Sequence, residues 1–164
     1  MAVGWSEVGT SGGLAHNGES RLEPLKSFVG RYDRSLDTKS RVILPTRLRT
    51  FFNSGFLAPG KDGCIALWTE ADFDGEARRQ HAREAEGALP RTAVRLWFSK
   101  VFPFEADNQG RIAIPQELRD HAHISQEVLF VGVYDRVELW SKQVWVGLEA
   151  ISPEFDGSPE TDGS

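Results

Sequence analysis

The chain has 164 residues with 40% apolar and 10% aromatic content, enough to build a packed core in one domain or two small ones. A net charge of −5, a single cysteine and no apolar run near the roughly eighteen residues of a bilayer crossing argue against a disulfide scaffold, a thiolate metal cluster and a membrane span. The N-terminus shows no basic-then-apolar leader, so a cytoplasmic protein is expected.

Residues 1–27 are rich in Gly and Ser, as in Thr10-Ser11-Gly12-Gly13, and carry no sustained period, which predicts a disordered extension that includes Trp5. The chain then says one thing twice. Residues 35–49 read SLDTKSRVILPTRLR and residues 105–119 read EADNQGRIAIPQELR. Asp37, Arg41, Pro45, Leu48 and Arg49 recur at Asp107, Arg111, Pro115, Leu118 and Arg119, a constant offset of 70. Ile65-Ala66-Leu67-Trp68 is echoed by Val137-Glu138-Leu139-Trp140 at an offset of 72, so the unit is duplicated.

In the first copy the β-branched run Arg41-Val42-Ile43-Leu44 ends at Pro45, which donates no ladder hydrogen bond but suits the first turn of a helix. Leu48, Phe51 and Phe52 then fall on one helical stripe. Gly55 and the Pro59-Gly60 pair read as closing that helix, with the next strand at residues 64–68 and Cys64 a buried, inert thiol within it. Thr69 is a plausible cap for a linker helix over residues 70–88, acidic at its start and carrying Arg78, Arg79 and Arg83 later, as the helix dipole favours. Gly75 and Gly87 weaken that helix. After Pro90, Val94, Trp97, Phe98 and Val101 share one face of a second helix.

The second copy repeats the pattern. Arg111-Ile112-Ala113-Ile114 ends at Pro115, Leu118 and Ala122 form the helical stripe, and residues 128–133 and 137–140 flank a turn at Tyr134-Asp135-Arg136. Ser141 caps a last helix with Val144, Trp145 and Leu148 facing inward. Trp68 and Trp140 end equivalent strands, and Trp97 and Trp145 sit on apolar helix faces, so these four read as core. The division is a disordered extension at 1–27, a first unit at 28–75, a helical linker at 76–100, a second unit at 101–150 and an acidic disordered tail at 151–164.

Charge is uneven along the chain. Residues 28–69 carry seven basic and three acidic groups, whereas residues 99–145 carry five basic and seven acidic. Charges more than about 8 to 10 Å apart are largely screened in physiological salt, so a basic first copy can hold an anion within an acidic protein. The strictest recurrence is Asp, three residues, Arg. An Asp at a turn accepts hydrogen bonds from its own backbone, and the Arg reaches back to it as a bidentate pair, which assigns Asp37 and Asp107 to holding the hairpins. Around Arg41 stand Arg31, Arg34, Thr38, Lys39 and Ser40, a set of phosphate donors with a fork able to read guanine. Around Arg111 the loop is Asn108-Gln109-Gly110, with amides in place of the lysine.

These two loops, the strand-Pro-helix after each, the Leu-Trp endings and Phe28-Val29-Gly30 upstream resemble MraZ, a family of bacterial transcription regulators made of two tandem AbrB-like units. The likeness covers residues 28–145. It implies an α+β fold of two swapped-hairpin units in a double-split βαβ barrel and a ring-like homo-oligomer, an octamer in some members. It also implies binding to double-stranded DNA, at promoter repeats upstream of the division and cell-wall gene cluster, in a nucleoid-associated protein. Arg41 and Arg111 match the motif arginines that the family turns toward DNA. Ser40 stands where the family usually has Gly; a left-handed turn there costs a non-Gly residue about 1 kcal/mol or more, which gives the first tip reason to differ in shape.

Open strand edges and the small core of each unit independently favour association with further copies. The rival classes are an enzyme and an antitoxin-like interaction module whose tail neutralises a partner. His81, His121 and His123 are the acid-base candidates, but the sequence has no metal-ligand spacing, phosphate-cradling loop or nucleophile elbow, and no cofactor is expected.

Overall fold

A computed structural model describes residues 27–152; the extensions expected to be disordered at 1–27 and 151–164 lie outside the described residues except for Ser27, Ile151 and Ser152, of which Ile151 ends the last helix. In chain order the elements are β1 (Arg31–Ser35), β2 (Arg41–Ile43), α1 (Thr46–Arg49), β3 (Ser54–Pro59), β4 (Ile65–Trp68), α2 (Glu70–Ala85) and α3 (Arg91–Ser99). They continue with β5 (Phe102–Glu105), β6 (Arg111–Ala113), α4 (Gln116–Ala122), β7 (Glu127–Gly132), β8 (Val137–Ser141) and α5 (Lys142–Ile151). The class is α+β with antiparallel pairing, as expected.

The two copies are interwoven. One sheet runs β1-β7-β8-β4-β3-β5, and β2 pairs with β6 in a separate ribbon. The first strand of the first copy thus pairs with the second copy, Arg31 opposite Val131 through Ser35 opposite Glu127, and β5 returns the exchange on β3. Register shows an approximate two-fold relation: Ile65 faces Leu139 and Leu67 faces Val137 across the sheet centre, while Arg41 faces Ala113 and Ile43 faces Arg111 in the ribbon. A strand of three residues has little to pair with inside its own copy. Exchange gives each short strand a partner and unites both copies around one core.

That core lies between the sheet and the ribbon. Strand alternation sends Ile65, Leu67, Val128, Phe130, Val137 and Leu139 to meet Val42, Ile112, Leu48 and Leu118. The opposite face is covered by α2 and α3, with Phe73 and Trp97 on Ala58, Ala66 and Trp68, and by α5, with Val144, Trp145 and Leu148 on Leu129 and Trp140. Buried on both faces, β4 reads as the continuous apolar run Ile65-Ala66-Leu67-Trp68. The caps behave as expected: Thr69 Oγ1 accepts from Asp72 N at 3.1 Å and Ser141 Oγ accepts from Val144 N at 3.4 Å. Cys64 is fully buried, and burial followed by the nearby Glu138 carboxylate pushes its thiol pKa up to about 12.

Two expectations are corrected. Gly55 and Pro59 do not close the first helix. The helix ends at Arg49 and both residues belong to β3. Gly55 is required by close approach, since a Cβ there would lie 2.3 Å from the Trp68 carbonyl oxygen, and Pro59 occupies the last position of its strand. The linker helix stops at Ala85 rather than Ala88, because Gly87 takes a left-handed φ of 77° and the amides of residues 86 to 88 turn back onto Ala82, Glu84 and Arg83 carbonyls.

Candidate nucleic-acid interface

Each Asp-x-x-x-Arg segment folds into the same tight loop. Asp37 Oδ1 accepts from the backbone N–H groups of Lys39 and Arg41, both at 2.9 Å, while Oδ2 accepts from Arg41 Nε at 2.9 Å. Asp107 does the same with Gln109 N, Arg111 N and Arg111 Nε, at 2.9, 2.9 and 2.7 Å. The expected return of the arginine to its aspartate is present through Nε, and two backbone amides join it on the carboxylate. Arg41 Nε and Arg111 Nε thus tie each guanidinium to the carboxylate of its own loop. Donation from the Arg41 backbone N–H is the largest cause holding the Asp37 carboxyl below its ordinary pKa; Arg111 acts likewise on Asp107.

Ser40 does not change the first tip. Its φ of 58° lies in the left-handed region beside the 76° of Gly110, and Ser40 N bonds the Asp37 carbonyl at 3.0 Å as Gly110 N bonds Asp107 at 2.9 Å. The carboxylate clamp holds the turn even where the side chain resists it. The tips also lock across copies, with Leu44 N donating to the Gly110 carbonyl at 2.8 Å and Ile114 N to that of Ser40 at 3.0 Å.

From these tips the ribbon presents an outer face. Val42 and Ile112 point inward and are buried, so alternation places Arg41 and Ile43 on β2, and Arg111 and Ala113 on β6, on the opposite side. Arg41 stands across from Ala113 and Arg111 across from Ile43, which sets the two arginines on a diagonal. Thr38, Lys39, Asn108 and Gln109 are exposed at the two loops, with Ser40 half-buried. A two-stranded ribbon with outward arginines has the dimensions and the donors to enter a DNA major groove.

Arg31 is not brought to that face. Tyr32 and Leu36 of the same strand direction point into the core, so Arg31 and Asp33 face the other side, where Arg31 Nη1 meets Glu149 Oε1 of α5 at 2.8 Å and Lys142 Nζ meets Asp33 at 3.4 Å. Arg34 donates Nη1 to the Asp33 carbonyl at 2.8 Å. The site gains instead Arg49 and Arg119, whose recurrence at the offset of 70 was the available signal. Arg49 Nε binds the Leu44 carbonyl and Arg119 Nε that of Ile114, both at 3.1 Å. Arg49 also lies over the other copy's tip, since a Cβ on Gly110 would come within 2.6 Å of its Nε.

The histidines are accounted for by packing and capping. His81 stacks on Phe98 with ring centroids 5.3 Å apart, His121 Nε2 lies 3.2 Å from the Gly60 carbonyl oxygen, and His123 takes the left-handed position that ends α4.

Fold and site together define a class: a duplicated, two-fold related α+β protein with a paired-arginine ribbon. The chain belongs to the MraZ family, whose model, described as "MraZ protein, putative antitoxin-like", matches residues 27–93 and 98–160. It is similar to the transcriptional regulator MraZ of Clostridium acetobutylicum, 32% identical over 81% of this chain and 94% of the relative. It is also similar to the protein of that name from Caldanaerobacter subterraneus subsp. tengcongensis, 35% identical over 79% of this chain and 96% of the relative, and to that of Alkaliphilus metalliredigens, 35% identical over 72% and 83%. A chain of this family is a regulator's relative and not an enzyme, and the catalytic reading of the histidines falls with that. No helix among the described residues is long and apolar enough to cross a membrane.

Proposed function

We propose that this chain is a sequence-specific, DNA-binding transcriptional regulator that grips double-stranded DNA with the outer face of the β2–β6 ribbon and its two loops. The observation that carries the reading is the diagonal of Arg41 and Arg111 on an exposed ribbon face, each arginine oriented by an aspartate that accepts from its Nε. Arg41 and Arg111 read base edges, and Lys39, Thr38, Ser40, Asn108 and Gln109 meet phosphates or flanking bases. Asp37 and Asp107 keep the loops in shape rather than touch DNA, because a carboxylate facing phosphate is repelled. The strand exchange supports a swapped-hairpin, double-split βαβ barrel as the description of this fold.

Copies associate as a ring-like homo-oligomer, supported by the sheet edges at β1 and β5 and by the short strands. A ring sets several ribbons along one surface, so weak contacts add through effective concentration when target boxes repeat. The target is a set of promoter repeats of the kind found upstream of the division and cell-wall gene cluster, with the protein in the cytoplasm and on the nucleoid. Footprinting and gel shifts on DNA upstream of the chain's own gene test this, using fragments cut to one and to three protected sites. Cooperative protection with weak binding to a single site is expected; no shift at low ionic strength overturns the proposal.

A second reading follows from the antitoxin-like description of the family. In it the acidic residues 153–164 neutralise a protein partner. Pull-down with and without those residues separates the two, because the DNA reading expects no partner whose capture depends on them.

A further inference from the structure

The ribbon's outer face holds one large apolar side chain. Ile43 is 44% exposed, while its neighbours in the ribbon, Val42 and Ile112, are 0% and 1% exposed. A lone exposed isoleucine on a protein surface needs no explanation, but this one lies directly across from Arg111 and two residues from Arg41 on the same face. It therefore adjoins both groups that the DNA reading sends to base edges. Isoleucine has no donor or acceptor, so at a groove floor it is favourable only against an apolar group. In the major groove the apolar group is the thymine C5-methyl.

We infer that Ile43 is a specificity-determining residue that packs on a thymine methyl in the base pairs adjoining those contacted by Arg41 and Arg111. The inference rests on the DNA reading and deepens it. The two-fold counterpart of Ile43 is Ala113, which is too short to fill the same gap, so the two halves of the ribbon make unequal demands. Each chain then requires thymine on the side of β2 and tolerates any base on the side of β6, and its site is asymmetric although the ribbon's backbone is two-fold.

The test begins with duplexes enriched by the wild-type chain from a random DNA pool and remade with deoxyuridine for thymidine, which deletes only the methyl. Burial of one methyl corresponds to about four-fold in affinity, so wild type is expected to bind the uracil duplex about four-fold more weakly. Ile43→Ala, which copies Ala113, should bind both duplexes alike and match the wild type's affinity for the uracil form, while Ala113→Ile should gain thymine dependence on the other half-site. Enrichment with equal binding of the thymine and uracil duplexes overturns this inference and leaves the DNA reading intact. Failure to enrich any duplex overturns both. If Ile43→Ala sediments as a smaller assembly while keeping its preference for thymine, Ile43 belongs to a contact between copies and the inference is wrong.

Discussion

The two hairpins share one backbone and carry different cargo. Asp37 and Asp107 each accept from two amides and one Nε within 0.2 Å of each other, and the turns close on the same left-handed residue. Yet the first loop displays Thr38-Lys39-Ser40 where the second displays Asn108-Gln109-Gly110, and the helix behind it carries Arg47 where the second carries Glu117. Shape is set by the repeated aspartate and arginine, which see only their own loop. Affinity for an anion is set by the residues between and behind them, which the loop geometry leaves unconstrained. Duplication of such a unit lets charge diverge while the ribbon remains two-fold.

The largest effect that separates shape from charge is expected at the arginines. Arg41→Ala should weaken binding to the protected DNA by about 1 to 3 kcal/mol, roughly five- to 150-fold, and Arg111→Ala by less. Sedimentation of Arg41→Ala should show the assembly unchanged; an unaltered gel shift refutes the assignment. Next comes the turn residue. Gly110→Ser should cost about 1 to 2 kcal/mol in urea unfolding, since its Cβ displaces Arg49 from the Leu44 carbonyl, whereas Ser40→Gly relieves a left-handed serine and should gain up to about 1 kcal/mol. Equal and opposite changes at the two sites would mean that Arg49 bends away freely.

Smaller still is exchange of the cargo. Lys39→Gln should flatten the dependence of log affinity on log salt by about 0.9, one phosphate contact, and Gln109→Lys should steepen it by the same amount. If only one of the pair responds, the two loops do not meet the duplex alike. The faintest effect is that of pH. Both loop carboxyls have folded pKa values below the ordinary 3.8, so the stability they contribute is present above the unfolded value and is lost as pH falls through the depressed one. Hydrogen-exchange protection of the Lys39, Arg41, Gln109 and Arg111 amides should persist to about pH 4 and fade only below it. Earlier loss in one loop would show that the two clamps are unequal.

Much of this was legible along the chain. The offset of 70 exposed the duplication, Thr69 and Ser141 marked helix starts, and the Asp-x-x-x-Arg spacing located both loops. What escaped was decided elsewhere in space. Gly55 reads as a breaker because only the Trp68 carbonyl, thirteen residues on, makes glycine necessary in a strand. Arg31 lies ten residues before Arg41 in the chain but on the side of β1 that meets Glu149 of the last helix, a consequence of period-two alternation.

By itself the sequence determined the repeated unit, its loops and the basic bias of its first half, because these depend on residues near each other in the chain. Only the tertiary structure decided that the copies trade strands, that Arg41 and Arg111 share a diagonal with Ile43 beside both, and that Arg49 covers the opposite tip. Those facts follow from pairing partners far apart in the chain, such as Arg31 with Val131 and Arg41 with Ala113, whose contacts are chosen by burying one common core rather than by any local preference.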